Sequence, residues 1–158
     1  MELTVGTLPY PPGRQGAQRR SPGGRVPDLL DPREVTAELD GPAVVSSGQT
    51  LHHHLTVHNL TGSELRIATN GHVTATVVDP QTGEVVGGFS GAQAMPLFFF
   101  RAAPGGSARI PLLIGTASYT SRLGYTVPAG EWGIQATLEL GPDLRNRRTP
   151  ILPLTITA

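Results

Sequence analysis

The chain of 158 residues contains no cysteine and no lysine, and its twelve basic residues are all arginine. Without a thiol there is no disulfide framework, no cysteine nucleophile and no Cys-ligated zinc or iron–sulfur centre. Without a lysine there is no Schiff-base chemistry and no phosphate-loop lysine. These absences remove several catalytic and redox classes, so we predict a protein that is not an enzyme, carries no cofactor and acts through a binding surface.

Long apolar runs are also missing. A secretory signal needs roughly 7–15 consecutive apolar residues after a basic start, whereas residues 1–8 are followed at once by Pro9. The longest apolar block, Met95 to Phe100, contains Pro96 and is far shorter than the about 20 residues of a membrane span. We therefore expect a cytoplasmic protein with no membrane partner.

Charge and turn-forming residues divide the chain into unequal parts. Residues 1–33 hold five Gly and six Pro with a net charge of +2, residues 34–144 carry −5, and residues 145–158 carry +3. The first part has too little apolar surface to offset the entropy of ordering. We predict a flexible Pro/Gly/Arg-rich arm over residues 1–33 and a folded domain over residues 34–158. The arginines of the arm are interpreted as solvated charges, and no nucleic-acid partner is expected.

The remaining sequence alternates short β-branched and apolar runs with turn signals, and no segment of eleven or more residues has a helical period. The strongest hairpin signal is the loop from Asp79 to Gly83, where Pro80 fixes φ and the glycine allows a positive φ. Eight or nine strands in such a length predict an all-β, immunoglobulin-like antiparallel β-sandwich. The predicted strands are Val35–Leu39, Leu51–Leu60, Leu65–Ile67, Val73–Val78, Glu84–Phe89, Leu97–Arg101, Ala108–Ile114, Trp132–Leu140 and Ile151–Thr157.

Several turn motifs follow one another in a recognisable order. They are Val57-x-Asn59-x-Thr61, Val77-x-Asp79-x-x-x-Gly83-x-Val85, Pro104-Gly105-Gly106 and the run from Val127 to Trp132. In this order they resemble bacterial immunoglobulin-like domains, most closely the intracellular proteinase inhibitor type, over roughly residues 50–140. The resemblance implies a β-sandwich and, as an expectation, inhibition of a protease. The chain departs from that pattern where Val85 to Phe89 replaces an aromatic-rich strand.

The loop over residues 118–131 contains two of the three tyrosines and leads into the only tryptophan, Trp132. Tyrosine and arginine are favoured in recognition loops because they offer large contact areas. The candidate partner-binding residues here are Tyr119, Arg122, Leu123 and Tyr125, and a protruding Arg122-Leu123 pair would suit a protease cleft. The alternative places Trp132 in the core and Tyr125 in a corner hydrogen bond of the sandwich.

Three of the four phenylalanines, Phe98, Phe99 and Phe100, are consecutive in one predicted strand. Side chains alternate across a strand, so one face belongs to the core and the other requires cover. Cover would come from the N-terminal arm, a second subunit or a protein partner, and the alternative buries both faces internally. These three residues complete the predicted partner-binding set.

Four of the five histidines lie in the predicted strand Leu51–Leu60. Alternation places His52 and His54 on the same face with Cα atoms about 6.6–6.8 Å apart, a spacing at which two imidazoles can bind one metal ion. The alternative is a solvent-facing polar row with His53 partly buried.

Ser90, in Gly88-Phe89-Ser90-Gly91-Ala92, partly matches a nucleophile elbow. No helical pattern follows it, however, so we interpret it as a turn residue. The sequence thus favours a non-catalytic protein-interaction module with an unidentified protein partner or a second copy of itself. A proteinase inhibitor acting through residues 118–131 and a metal-binding protein using His52 and His54 are the alternatives.

Overall fold

The structure is a computed structural model that describes residues 26–92, 96–141 and 145–158. In these residues it contains twelve strands and one turn of 3₁₀-helix at Ser121–Leu123. The strands are β1 Val35–Leu39, β2 Val44–Ser46, β3 Leu51–Asn59, β4 Leu65–Thr69, β5 Val73–Val78, β6 Val85–Gly88, β7 Phe98–Ala102, β8 Ser107–Ile114, β9 Ala117–Ser118, β10 Gly130–Gly141, β11 Asn146–Arg148 and β12 Leu152–Thr157.

The strands form two hydrogen-bonded sheets that share the long strand β10. One sheet has the order β1-β3-β8-β5-β10-β12-β2, with β6 beside β5 and β9 beside β6. The other has the order β7-β4-β10-β11. The first half of β10 pairs with β12 and the second half with β11, so the same twelve residues pass from one sheet into the other. All pairs are antiparallel except β5–β8 and β2–β12.

The predicted all-β, immunoglobulin-like sandwich is confirmed. All nine predicted strands occur within a few residues of their predicted bounds. The three further strands, β2, β9 and β11, have two or three residues each, too few to show a period of two.

Most of the predicted N-terminal arm, residues 1–25, lies outside the described residues. Within the described part, the Leu30 N–H donates to the carbonyl of Arg148 at 2.8 Å, and the Leu30 side chain is buried. The Arg148 N–H in turn donates to the Asp28 carbonyl at 2.8 Å. Residues 28–30 therefore pack on the edge of β11, inside the region predicted as an arm.

The core forms between the inward faces of the two sheets because apolar residues alternate along the strands. Leu55, Val57, Ile67, Ile110 and Leu138 are completely buried. Burying one such side chain stabilises the fold by about 1.5–3 kcal/mol. Within the described residues, no helix is both long and apolar enough to cross a membrane.

The predicted turn at Asp79–Gly83 is present and closes a hairpin, whereas a second tight turn, at Asn70-Gly71, does not. In the Asp79–Gly83 loop the Gly83 N–H donates to the Asp79 carbonyl at 2.7 Å, and Gly83 has a φ of 77°. The turn at Asn70-Gly71 joins β4 to β5, which pair with β10 rather than with each other. This turn therefore carries the chain from one sheet to the next.

A buried asparagine joins three loops at one end of the sandwich. The Asn59 side chain is fully buried, and its Nδ2 donates to the carbonyls of Ser63 at 2.7 Å and Ala102 at 2.9 Å. Its Oδ1 accepts from the Thr61 N–H at 3.0 Å and from the Thr61 hydroxyl at 2.6 Å. The Asn59 backbone also bonds to Gly105 and Gly106 in the turn before β8. One residue therefore holds the end of β3, the start of β4 and the β7–β8 turn together.

We predict that Asn59→Ala lowers the free energy of unfolding by about 3–5 kcal/mol. The substitution removes several buried hydrogen bonds and leaves carbonyls of the β7–β8 turn without a donor. Urea denaturation followed by circular dichroism measures the change. The matched control is Asn146→Ala at an exposed position of β11, and equal stability of the two variants would contradict the role assigned to Asn59.

Candidate functional site

The predicted recognition loop is a short hairpin whose base is closed by backbone hydrogen bonds. The Ser118 N–H donates to the Tyr125 carbonyl at 2.9 Å, and the Val127 N–H donates to the Thr116 carbonyl at 2.9 Å. Val127 is completely buried, and its carbonyl accepts from the Ser47 hydroxyl at 2.6 Å. The loop therefore projects from a base that is anchored in the core.

Glycine allows β6 and β9 to approach each other at this base. A Cβ at Gly87 would overlap the Ala117 carbonyl, and a Cβ at Gly115 would overlap the backbone of Phe89. Side chains at these positions would separate β6 from the β8–β9 connection. The Gly87-Gly88 pair and Gly115 are thus sequence signals of close backbone contact beside the loop.

The tip of the hairpin folds back on the body of the domain. The Leu123 N–H donates to the Thr120 carbonyl at 3.1 Å, and the Leu123 side chain is half-buried against the core. The Arg122 guanidinium pairs with the Glu84 carboxylate at 2.6 Å, and both side chains remain more than half exposed. Arg122 and Leu123, predicted to protrude, thus also have contacts within the domain, Arg122 remains 57% exposed, and their role in partner binding stays a prediction.

The two tyrosines of the hairpin have different environments. The Tyr119 hydroxyl donates to the Phe89 carbonyl at 2.9 Å, which orients the ring along the β6 end. The side chain of Tyr125 is 96% exposed, and its hydroxyl has no hydrogen-bond partner among the described residues. The alternative that placed Tyr125 in a corner hydrogen bond is therefore wrong. Trp132 packs at the edge of the core, and its Nε1 donates to the Pro128 carbonyl at 2.9 Å.

A groove of about 290 Å³ lies at the base of the hairpin. Tyr125 and Thr126 line one side of it, and the Gly48–Thr50 turn and the segment after β6 line the others. Sequence reasoning did not identify Gln49, Thr50 or Thr116 as site residues, because they converge only in the folded chain. Ser90 lines the groove, but no histidine or carboxylate does so in the part of the chain that is described. Among the described residues that line the groove, Ser90 therefore has no histidine or carboxylate to act as a base.

The phenylalanine strand β7 has one buried and one exposed side. On the inward face, Phe100 packs against the core and Ala102 is buried, while Phe98 at the start of the strand is 50% exposed; Phe99, on the outward face, is 49% exposed. The alternative in which both faces are buried is wrong for these two rings. In the described residues β7 pairs with β4 alone, which leaves its other edge without a neighbouring strand. The Arg66 guanidinium lies over the Phe99 ring at 5.6 Å, a cation–π contact.

The histidines of β3 alternate across the sheet as predicted. His58 lies between the Glu38 carboxylate at 2.6 Å and the Ser107 hydroxyl at 2.7 Å, so it joins β1, β3 and β8. His53 lies on the inward side, with its Nε2 3.1 Å from the Gly41 carbonyl. No group of three or more metal-ligating side chains occurs in the described ranges. The pair His52 and His54 remains a predicted two-ligand set.

An ionic cluster beside this row involves Asp40. Its carboxylate accepts hydrogen bonds from the Thr56 hydroxyl and the Arg109 guanidinium. The bond from Thr56, followed by that from Arg109, holds the pKa of Asp40 below its usual range, and the nearby His54 acts in the same direction. The cluster fastens the loop after β1 to β3 and β8.

We predict that Asp40→Asn makes the stability of the fold depend less on pH below about pH 4. Because the pKa of Asp40 is lower in the folded chain than in the unfolded chain, its stabilising effect is complete above about pH 4 and is lost as the pH falls through the folded value. Urea midpoints between about pH 2 and pH 7 measure this, with Glu139→Gln as the control outside the cluster. A variant that follows the wild-type profile below pH 4 would count against the cluster.

Comparison with known proteins yields no family assignment. No protein-family model matches the chain, and no curated protein matches it. The resemblance to the proteinase inhibitor type therefore stays a prediction, and so does protease inhibition.

Several solved structures align over most of the chain at low identity. The CARDB domain of the PF1109 protein from Pyrococcus furiosus, solved with di-metal ions, is 14% identical over 78% of this chain and 93% of its own, with a TM-score of 0.37. The PapD-like domain 7 of human CEP192 is 14% identical over 89% and 99%, with a TM-score of 0.33. The CooA pilin subunit of enterotoxigenic Escherichia coli is 8% identical over 79% and 98%, with a TM-score of 0.34. None of these likenesses carries an argument about function.

Proposed function

We propose that the chain is a non-catalytic protein-binding module whose main contact surface is the hairpin over residues 118–131 together with the groove at its base. A second contact surface is the strand β7, where Phe99 on the outward face and Phe98 at the start of the strand are exposed. The observation that supports the proposal most directly is the 96% exposure of Tyr125 on a hydrogen-bonded backbone.

The exposed ring of Tyr125 contributes little to the fold, because almost none of its surface is buried. Its backbone is nevertheless held by the bond from Ser118 and by the bridge between Ala117 and Thr126. A partner that covers such a ring gains a large apolar contact and orders only two side-chain torsions. Aromatic side chains presented in this way dominate the affinity of many interfaces.

The groove beside Tyr125 indicates the chemistry of the partner. Its described lining consists of glycine and neutral side chains, among them Gln49, Thr50 and Ser90. Such a surface suits an uncharged peptide segment that offers an apolar side chain and hydrogen bonds of its own. Arg122 and Leu123 already have partners within the domain, so the proposal places the contact at Tyr125.

We predict that Tyr125→Ala weakens partner binding by about 30-fold. This corresponds to a loss of about 2 kcal/mol of binding free energy, the loss typical of a hot-spot residue. The free energy of unfolding is expected to stay the same. The immobilised full chain captures the partner from a lysate of the encoding organism, and calorimetry with the purified partner then gives the affinity. Tyr125→Phe separates the contribution of the ring from that of the hydroxyl.

The control is Leu60→Ala, which removes an apolar, 53% exposed side chain elsewhere on the surface. Leu60 follows the end of β3 that pairs with Ser107, whereas the hairpin adjoins the end that pairs with Ile114. Full binding by Tyr125→Ala, or equal loss in both variants, would contradict the proposed site.

A further inference from the structure

The free edge of β7 is unusual in its composition. Edge strands of soluble proteins are normally protected by several charges, by proline or by a covering segment, because their unpaired backbone groups invite another strand. Leu97 and Phe98 are at least half exposed and Phe99 is 49% exposed. The strand itself carries a single charge, on Arg101. This edge therefore has the properties of a strand that pairs with another chain.

We propose that β7 pairs antiparallel with β7 of a second copy, with Phe100 on the twofold axis. The inference rests on the proposed function in so far as β7 is one of its contact surfaces, and it names the partner of that surface. The pairing would join the β7-β4-β10-β11 sheets of two copies into one continuous sheet.

The register follows from the side-chain pattern. Directly opposed residues of antiparallel strands point to the same face, so the axis of a symmetric pair passes midway between the two copies of one residue, which oppose each other. With Arg101 on the axis, two guanidinium groups would oppose each other. With Phe99 on the axis, Arg101 would oppose the aliphatic Leu97. With Phe100 on the axis, each Arg101 lies opposite the Phe99 ring of the other copy.

A contact between an arginine and the Phe99 ring already exists within one copy. Arg66 of the neighbouring strand β4 lies 5.6 Å from the Phe99 ring centre, and Arg66 is the cross-strand partner of Arg101. The positive charges on this face are balanced locally. Glu64 pairs with Arg101 at 3.2 Å, and Glu139 lines the same groove as Arg66 and Phe99.

The small size of the surface indicates a weak association. A buried aromatic ring removes about 150–250 Å² from water, and the rings of Phe98 and Phe99 are already half covered. Pairing therefore buries a few hundred Å² of side chain per copy, below the roughly 800 Å² per partner of a standard interface. We expect a weak dimer that dissociates in the micromolar range.

Sedimentation velocity of the full chain from about 1 to about 200 μM tests the pairing, since a micromolar dimer changes its population in this range. Phe99→Arg and Phe99→Glu remove the same ring from an exposed position. In the proposed register, Phe99→Arg opposes Arg101 of the other copy and abolishes the dimer. Phe99→Glu opposes the same guanidinium with a carboxylate and retains a dimer. Leu60→Arg is the control for an exposed apolar residue elsewhere.

The absence of native cysteine permits a direct check of the register. Under mild oxidation, Phe100→Cys is expected to form a symmetric disulfide, whereas Phe99→Cys is not, and circular dichroism confirms that both variants fold. If the full chain stays monomeric at every concentration tested, the proposal is overturned, regardless of what else covers β7. A dimer that resists Phe99→Arg overturns it as well.

The hairpin and the strand can be separated experimentally. Tyr125→Ala is expected to dimerise like the wild type, and the wild-type chain, diluted to a concentration at which it is monomeric, is expected to capture the hairpin partner. If the chain captures the hairpin partner but does not dimerise, the β7 pairing is contradicted and the hairpin site is not. If the chain dimerises but captures no hairpin partner, the hairpin site is contradicted and the β7 pairing is not.

Discussion

The side-chain amide of Asn59 is the interaction on which the arrangement of the two sheets depends. It is completely buried, donates to carbonyls of the β3–β4 connection and the end of β7, and accepts from the backbone and hydroxyl of Thr61. These carbonyls lie where strands end and would otherwise be buried without donors. A buried polar network is stabilising only when all of its groups are paired, and here one residue supplies both donors and acceptors. The Asn59 bonds thus connect the end of β7, which pairs with β4, to the turn before β8, which pairs with β3.

The two proposed contact surfaces follow from this division of strands. Once β7 lies beside β4, its outer edge is the end of a short sheet, and alternation turns Phe100 inward and Phe99 outward. The hairpin with Tyr125 arises at the opposite end of β8, where glycines let β6, β9 and the β8–β9 connection come into close contact. The surfaces are thus consequences of the same packing that forms the core, although neither contributes much to it.

Much of the fold could be predicted from the sequence because a period of two is visible wherever a strand is half-buried. The alternation of Leu55 and Val57 with polar residues identified β3, and the turn chemistry of Asp79 to Gly83 identified the β5–β6 hairpin. The Asn70-Gly71 turn shows the limit of such reasoning. A turn signal establishes that the chain reverses, whereas the strand that it pairs with afterwards depends on contacts made with the distant strand β10.

The candidate site was predictable in its residue types and not in their roles. Tyrosine and arginine in a glycine-containing loop indicated recognition, but Arg122 pairs with Glu84 and Leu123 packs on the core, while Tyr125 is 96% exposed. By itself, the sequence determined the β-class of the protein, its main strands and the catalytic chemistries that it excludes, because these depend on composition and local periodicity. Only the tertiary structure decided which strand lies at an edge and which loop residues are exposed, because those properties depend on partners far apart in the chain.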